Sequence, residues 1–522
     1  MRQVPVLIVG GGITGLSCAL FLAAHQVPCL LVERHPDLLS HPRARGITPR
    51  TMELYRQVGL EESILAAAFA GSDFAWVPVR AETLSDEVYE TPDEPSESDG
   101  AEASPCSFGP IDQDRLEDLV RSHARRLGAE LRFSTELTDF TQDDSGVTAV
   151  LTDRATGASE QVRASYLVAA DGFHSPIRHR LGVPADGPGR LFDTITAIVD
   201  ADLRPALRGR RATIAYLQRP RPYTIMMAHD AEGTRWVFGT GHDPSREPIE
   251  SFTDERVAAM VREAAGLPDV EVRLRPQIPG TDMKVLAFPI GAHVARNYRV
   301  GRVFFIGDAA HVWPPTGGLG ANAGIQDAHN LAWKLALVTA GAAGPGLLDS
   351  YEAERRPTGL MTMGQALARF GTRMGPGSAP EIVEYGAVAL GYRYRSAAVL
   401  GGDEDGDTTP LLPRELRGQV GTRAPHVPVE RGGRRISTLD LYGSRFVLLT
   451  GPDGDAWAKA AKDLPLPVDV YRLGVDLASD TAAEAHDLAP GEAILVRPDG
   501  FVAWRSTDPG ALAGALAAIL CR

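Results

Sequence analysis

Six residues near the start of the chain, Gly10-Gly11-Gly12-Ile13-Thr14-Gly15, have the types and spacing of a turn that can cradle phosphate. Gly10 permits the tight turn, Gly12 lets a pyrophosphate approach the backbone, and Gly15 allows close packing of helix on strand. The phosphates would meet unpaired N–H groups at the positive end of the following helix. Glu33 closes the next apolar block, where a carboxylate can accept both hydroxyls of an adenosine ribose. The expectation is a bound dinucleotide; a glycine turn that only packs is the alternative. Two further carboxylates stand at comparable places. Asp171 follows the apolar run Tyr166–Ala170, at the strand end where open α/β sheets bind ligands. Asp308 follows Val303–Ile306 beside a helix start, where a carboxylate can bond a flexible polyol. Gly317, Gly318 and Gly320 strip side chains from the loop before the next helix. A flat tricyclic ring can approach such a backbone, with bare N–H groups facing its edge. The sequence carries no Ser/His/Asp constellation and no zinc-spaced Cys/His cluster, and no metal is expected.

These residues need elements to hold them. Residues 4–9 are an apolar block without alternation, the pattern of a strand covered on both faces. Helical spacing over Leu16–Ala24 and a second block, Pro28 to Val32, complete a strand–helix–strand unit. A helix is predicted around Thr51–Val58, started by Pro49 and stopped by Gly59, and another over 112–128. Between Glu82 and Glu102 nine acidic residues leave little to bury, which reads as a mobile surface loop. From about 185 to 285 short β-rich runs take over, an inserted sheet domain. The strand at Val303–Ile306 resumes the first domain, with helix to about 395. Gly401–Asp407 reads as a linker, and beyond it strands alternate with helices, with Asp499-Gly500 as a hairpin turn. The expected organisation is an α/β dinucleotide-binding domain from 1–184 and 286–400, a β-rich domain at 185–285, and a small α/β domain at 408–522.

Composition sets limits on partners. The 522 residues are 44% hydrophobic and 23% charged, ordinary for a folded protein of about three domains. A net charge of −14 disfavours nucleic acid. No apolar run reaches the ~18–20 residues of a membrane span, and no secretory h-region precedes the first strand. The four cysteines (Cys18, Cys29, Cys106, Cys521) form no CxxC pair and read as buried thiols in a reducing compartment. The expectation is a cytoplasmic protein that is a monomer or homodimer.

Three motifs in order carry a resemblance. Besides the glycine turn, Ala169-Ala170-Asp171-Gly172-Phe173-His174-Ser175-Pro176-Ile177-Arg178 looks like the "DG" motif of the group A flavoprotein aromatic monooxygenases. Gly301-Arg302-Val303-Phe304-Phe305-Ile306-Gly307-Asp308-Ala309-Ala310-His311, running on through Pro314-Pro315-Thr316-Gly317-Gly318-Leu319-Gly320-Ala321-Asn322, resembles their "GD" motif. The wording of that last stretch is most like hydroxylases that tailor aromatic polyketides. The resemblance covers about residues 1–395. It implies a para-hydroxybenzoate hydroxylase-like fold: a Rossmann-type FAD-binding domain, an inserted β-sheet substrate domain and a C-terminal thioredoxin-like domain.

The resemblance further implies tight, non-covalent FAD, with NADPH or NADH as co-substrate and one oxygen of O2 delivered to a phenolic ring through a flavin C4a-hydroperoxide. Asp308 would hold the ribityl chain, and Asp171 would serve flavin indirectly and the pyridine nucleotide. Arg43 matches the arginine that lies along the cofactor, with Arg45 as the alternative unless it is a surface residue. Gln113 matches a glutamine that bonds FAD, unless it merely follows an N-cap at Asp112 or Asp114. Arg34, Pro315, Gly318, Gly320, Ala321 and Asn322 join the cofactor-binding set. Arg178 either caps its helix or serves the site. His311 reads as a packing histidine, and the patch Arg204, Arg208, Arg210 and Arg211 as a solvated face that could attract a nucleotide phosphate. The inserted sheet is the expected roof over the ring. Tyr216, Tyr223, Trp236 and Phe238 are candidates to face an aromatic substrate, although alternation sends half of such residues into the core. The thioredoxin-like tail lacks CxxC and is expected to serve packing. Rival readings are a Baeyer–Villiger insertion on a polycyclic ketone and a non-catalytic FAD-binding assembly protein; a halogenase is disfavoured by the lack of Trp-x-Trp-x-Ile-Pro.

Overall fold

The computed structural model describes the chain except residues 39–42, 70–76, 90–101, 230–232, 279, 376–380 and 403–407. Most of the acidic stretch 82–102, most of the linker at 401–407, and Pro42 therefore lie outside the described residues. The apolar block near the start becomes the strand Arg2–Val9, paired in parallel with Cys29–Val32 on one side and Ser159–Ala169 on the other. Val6, Leu7 and Ile8 have no exposed surface, each worth about 1.5–3 kcal/mol of burial. Val303–Phe305 and Glu130–Arg132 extend the parallel sheet at its two ends. The helices Ile13–Ala24, Gln113–Arg126 and Leu319–Thr339 share its core. An antiparallel ribbon, Thr135–Asp143 with Gly146–Asp153, pairs with the first half of Ser159–Ala169.

The second sheet is built around the long strand Ala185–Asp200. Arg235–His242 and Val285–Ala295 flank it antiparallel, Arg273–Arg275 also pairs with it, and Thr224–Ala228 and Ile214–Leu217 follow outward. Three of its strands reach beyond the 185–285 span. Pro78–Ala81 forms the far edge, parallel to Ile214–Leu217; Val285–Ala295 lies almost wholly outside; and His311–Val312 adds the opposite edge. A free sheet edge accepts any extended segment brought alongside, whatever its distance in the chain.

The last unit has four strands in the order Val468–Arg472, Phe446–Thr450, Ala493–Val496, Val502–Ser506. The first two are parallel across the helix Asp455–Lys462, the last two form a hairpin, and Leu512–Ile519 closes the chain, a thioredoxin-like arrangement. One face of its sheet packs on a core of its own, and the other shares a core with the first domain. Trp333 of the helix Leu319–Thr339 is 1% exposed and meets Phe446 edge-on, with ring centroids 5.9 Å apart.

Candidate functional site

The glycine turn shows why each of its glycines is there. A Cβ on Gly10, whose φ is +111°, would lie 2.2 Å from the Ala170 carbonyl oxygen, and one on Gly15 would lie 2.0 Å from that of Gly10. Both positions are closed by backbone. Gly12 is different: its φ of −75° suits any residue, and a Cβ there would meet only Glu117 Oε1 at 4.0 Å. Gly12 is bare toward open space, as a backbone that must admit a large anion has to be. The neighbouring loops converge on the same turn. A Cβ on Gly307 would lie 2.6 Å, and one on Gly324 2.4 Å, from the Thr14 hydroxyl oxygen. Glu33 accepts from the Gly11 N–H (2.6 Å) and from the His35 N–H (2.8 Å), which fixes it beside the turn. Arg34 next to it is exposed.

Glu117 emerges as a residue the sequence did not single out. Its carboxylate is 1% exposed, with Oε1 accepting from the Ile13 N–H (3.0 Å) and Gln113 Nε2 (2.8 Å), and Oε2 from Arg43 Nη2 (2.7 Å). Burial raises its pKa above the usual carboxylate range, and Arg43, Gln113 and the Ile13 N–H pull the other way. Gln113 Oε1 in turn accepts from the Ala44 N–H at 3.1 Å, so one side chain ties the turn, the helix Gln113–Arg126 and the arginine segment together. Asp112 occupies the N-cap position without a capping bond; it pairs with Arg45 Nε at 2.7 Å. Arg45 is no surface residue: it is 8% exposed, lies over the Phe69 ring and bonds the Ala228 carbonyl of the second sheet. Glu117→Ala strands two buried donors, each worth about 1–3 kcal/mol. Thermal unfolding of the ligand-free variants should show a clear loss for Glu117→Ala and a smaller one for Glu117→Gln, which keeps an acceptor; equal losses would mean the acceptor does not matter.

The two later carboxylates are used differently. Asp171 accepts from Ser175 Oγ (2.7 Å) and the Ile177 N–H (3.0 Å) and so braces the short helix Pro176–Arg180, whose N-cap is Ser175. Burial lifts Asp171 above the usual range. Arg178 reaches past its own helix, donating through Nη1 to the Ala309 carbonyl and lying 3.1 Å from His293 Nε2. Asp308 keeps an exposed surface, while the surrounding protein raises its pKa against the opposing pull of His311 and Arg43. Among the described residues its carboxylate has no hydrogen-bond donor.

The Asp308 loop is anchored from behind. Asp327 Oδ2 accepts from the Gly307 N–H (3.1 Å) and lies 2.6 Å from His311 Nε2, and Oδ1 accepts from Arg355 Nε (2.7 Å). Burial alone would raise Asp327; His311 and Arg355 outweigh it and hold it low. His311 is 1% exposed and stacks on Trp313 at 4.5 Å. Gly318, at φ +65°, opens the helix Leu319–Thr339, and a Cβ there would meet nothing within 4 Å. Asn322 donates to the Gly318 carbonyl (2.8 Å) and accepts from the Thr48 N–H (2.9 Å), which docks the loop against the arginine segment. Pro315 is exposed, and Gly320 and Ala321 are partly so.

The aromatic candidates divide by strand face. Trp236 and Phe238, two residues apart and both fully buried, belong to the core beneath the sheet and not to a substrate surface. Tyr216 lies on the other face, opposite Ile225, and its hydroxyl accepts from Arg373 Nη1 at 3.2 Å. Tyr223 joins two rings that the sequence reading left out. Phe192, Tyr223 and Phe370 lie 4.7–5.8 Å apart with planes within 14–19° of parallel, all half-buried. In the basic patch Arg204, Arg208 and Arg211 are exposed, with Arg204 paired to Asp202, while Arg210 stacks on Tyr89 at 3.9 Å and bonds the backbone carbonyls of Glu87 and Ala206.

Comparison with known proteins covers the whole chain. A family model described as an FAD binding domain matches residues 3–366, and one described as the C-terminal part of aromatic-ring hydroxylases matches 417–522. The chain is 43% identical to tetracenomycin A2 monooxygenase-dioxygenase of Streptomyces glaucescens, over 100% of this chain and 97% of the relative. It is 41% identical to 4-methyl-5-nitrocatechol 5-monooxygenase of a Burkholderia species, over 100% and 98%. The solved ternary complex of aklavinone-11 hydroxylase with FAD and aklavinone superposes with a TM-score of 0.90 at 36% identity, covering 100% of both chains. No helix among the described residues is long and apolar enough to cross a membrane.

Proposed function

The chain belongs to the FAD-binding family of aromatic-ring hydroxylases, and on that premise we propose how its residues hold FAD and what ring they present to it. Gly12 and the first turn of the helix Ile13–Ala24 take the pyrophosphate, Glu33 the adenosine ribose and Asp308 the ribityl chain. Arg43 lies along the cofactor, and the bare backbone from Gly318 to Asn322 faces the pyrimidine edge. One observation carries this reading: segments around residues 13, 43, 113 and 307–324 close on Thr14 and Glu117, while Gly12 and Gly318 are left with room for a ligand. Bound FAD supplies reduction by NADPH or NADH and transfer of one oxygen atom of O2 to an electron-rich ring, the other leaving as water.

The chain's own part is positioning and exclusion of water. Asp327 fixes the Gly307 peptide and Asn322 fixes the Gly318 carbonyl, so the cofactor-facing loops are preorganised. For the substrate we favour a planar fused-ring phenol of the aromatic polyketide type. The near-parallel cluster of Phe192, Tyr223 and Phe370 offers such a molecule extended apolar surface. A single-ring phenol is the second reading, favoured by the likeness to the nitrocatechol monooxygenase. We place the enzyme in the cytoplasm, where its four free cysteines, three of them buried, stay reduced. Steady-state oxidation of NADPH and NADH with a panel of phenols tests the substrate reading. Fused-ring phenols should accelerate it most, with labelled dioxygen appearing in a new phenolic hydroxyl. Label in an ester oxygen would establish insertion instead, and stimulation by catechols alone would favour the single-ring reading. Tyr223→Ala should raise hydrogen peroxide release at the expense of product, and Trp236→Phe should not.

A further inference from the structure

Two charged clusters sit at consecutive residues of the helix Asp349–Met374. Glu354, with no exposed surface, accepts from both terminal nitrogens of Arg497 (2.5 and 2.9 Å), from Lys334 Nζ (2.8 Å), Asn330 Nδ2 (2.7 Å) and Ser396 Oγ (2.7 Å). Arg497 stands in the turn of the C-terminal hairpin, and its Nε and Nη2 also reach Asp499 at 3.0 and 2.5 Å. Two carboxylates thus meet two cations out of contact with water. Such a cluster is a rigid fixture, because moving one member strands the others.

Arg355, the next residue, bonds the other way. Its Nε holds Asp327, which holds the Gly307 N–H and His311; its Nη1 donates to the Tyr394 hydroxyl at 3.1 Å. The Tyr394 ring stacks on Phe501 at 4.0 Å, back on the same hairpin. The hairpin therefore grips the helix at 354 through charge and at 355 through Tyr394, and the second grip ends on the peptide next to Asp308.

We propose that the C-terminal hairpin Arg497–Phe501 is a clamp that positions the Gly307–Asp308 loop, with Arg497 as its central positioning residue. The appended domain then acts on the cofactor site through the helix, Asp327 and Gly307. The clamp gains its functional meaning from the reading of Asp308 as an FAD ligand. A different cross-domain contact provides the control. Arg56 bonds Asp440 through Nε and Nη2 at 2.7 and 3.0 Å, is partly exposed, and bonds neither Glu354 nor Asp327.

Hydrogen exchange on the full-length protein, with and without FAD, tests the clamp in Arg497→Lys, Arg497→Met and Arg56→Met. Arg497→Lys keeps the charge and loses the fork, so it remains informative if Arg497→Met fails to fold. In ligand-free Arg497→Lys, peptides spanning 303–311 should exchange about tenfold faster and FAD should bind about tenfold more weakly, while peptides spanning 13–24 keep their protection. Arg56→Met should leave 303–311 and FAD affinity as in the parent protein. Unchanged exchange at 303–311 in the Arg497 variants, or equal acceleration in Arg56→Met, overturns the clamp. Faster exchange at 303–311 with FAD affinity intact upholds the clamp and overturns the assignment of Asp308 to the cofactor.

Discussion

Asp308→Ala is expected to fold and to lose its FAD during purification, whereas Asp171→Ala should emerge yellow. The two carboxylates differ in what they already serve. Asp171 is committed to Ser175 and the Ile177 N–H, so its loss loosens a short helix. Asp308 has no such donor among the described residues and keeps an exposed surface. A hydrogen bond to a charged acceptor is worth about 1.5–3 kcal/mol, so its removal should raise the Kd for FAD roughly 10- to 150-fold. Visible flavin absorbance per mole of protein, followed by titration of the stripped protein with FAD, measures this. Equal retention in the two variants would contradict the ribityl assignment. A pH dependence accompanies it. The ionised carboxylate is the better acceptor, and the protein packed around Asp308 raises its pKa in the ligand-free state although the residue keeps an exposed surface. FAD affinity should therefore fall as the pH drops toward that raised value, and in Asp308→Asn this part of the pH dependence should vanish.

Gly12→Ala and Gly15→Ala should fail in opposite ways. Alanine is ordinarily the better residue inside a helix, by about 1 kcal/mol over glycine. At Gly15 the added methyl would lie 2.0 Å from the Gly10 carbonyl oxygen, which backbone cannot yield cheaply. The cost of such overpacking, about 1–3 kcal/mol or more, exceeds the helical gain, and the melting temperature of the ligand-free protein should drop. At Gly12 the methyl meets no protein atom closer than 4.0 Å and the backbone is already extended, so the fold should be unharmed. The same methyl stands where we place the pyrophosphate, and FAD should bind at least about tenfold more weakly. A Gly12→Ala protein that binds FAD normally would move the pyrophosphate off this turn.

Much of the architecture was legible because each element announces itself locally. The glycine turn, the strand blocks at 4–9 and 303–306, and the strand–helix alternation after 408 each depend on neighbours within a few residues. Glu117 was not legible. It sits among Asp114, Arg115, Asp118 and Arg121 like any polar helix residue, and its donor at Ile13 lies 104 residues away. Trp236 and Phe238 show the limit of alternation: spacing by two places them on one face, and only the packed sheet tells which face is core. Phe192 and Phe370 could not be joined to Tyr223 from sequence because a strand, a turn and a helix contribute one ring each. Arg45 resembled a surface arginine because its carbonyl partner, Ala228, belongs to a different domain.

The edge strand Pro78–Ala81 bears on how this enzyme can be re-engineered. Its hydrogen-bonding partner, Ile214–Leu217, is encoded more than a hundred residues later, so the second sheet, which we propose faces the substrate, is assembled from separate stretches of the gene. A chimera that transplants only 185–285 from a relative would graft a foreign strand against the host's own border and split the pairing of Ala185–Asp200 with Val285–Ala295. Exchanges of selectivity between relatives should therefore carry 78–81 and the whole of 185–295 together, as one indivisible cassette.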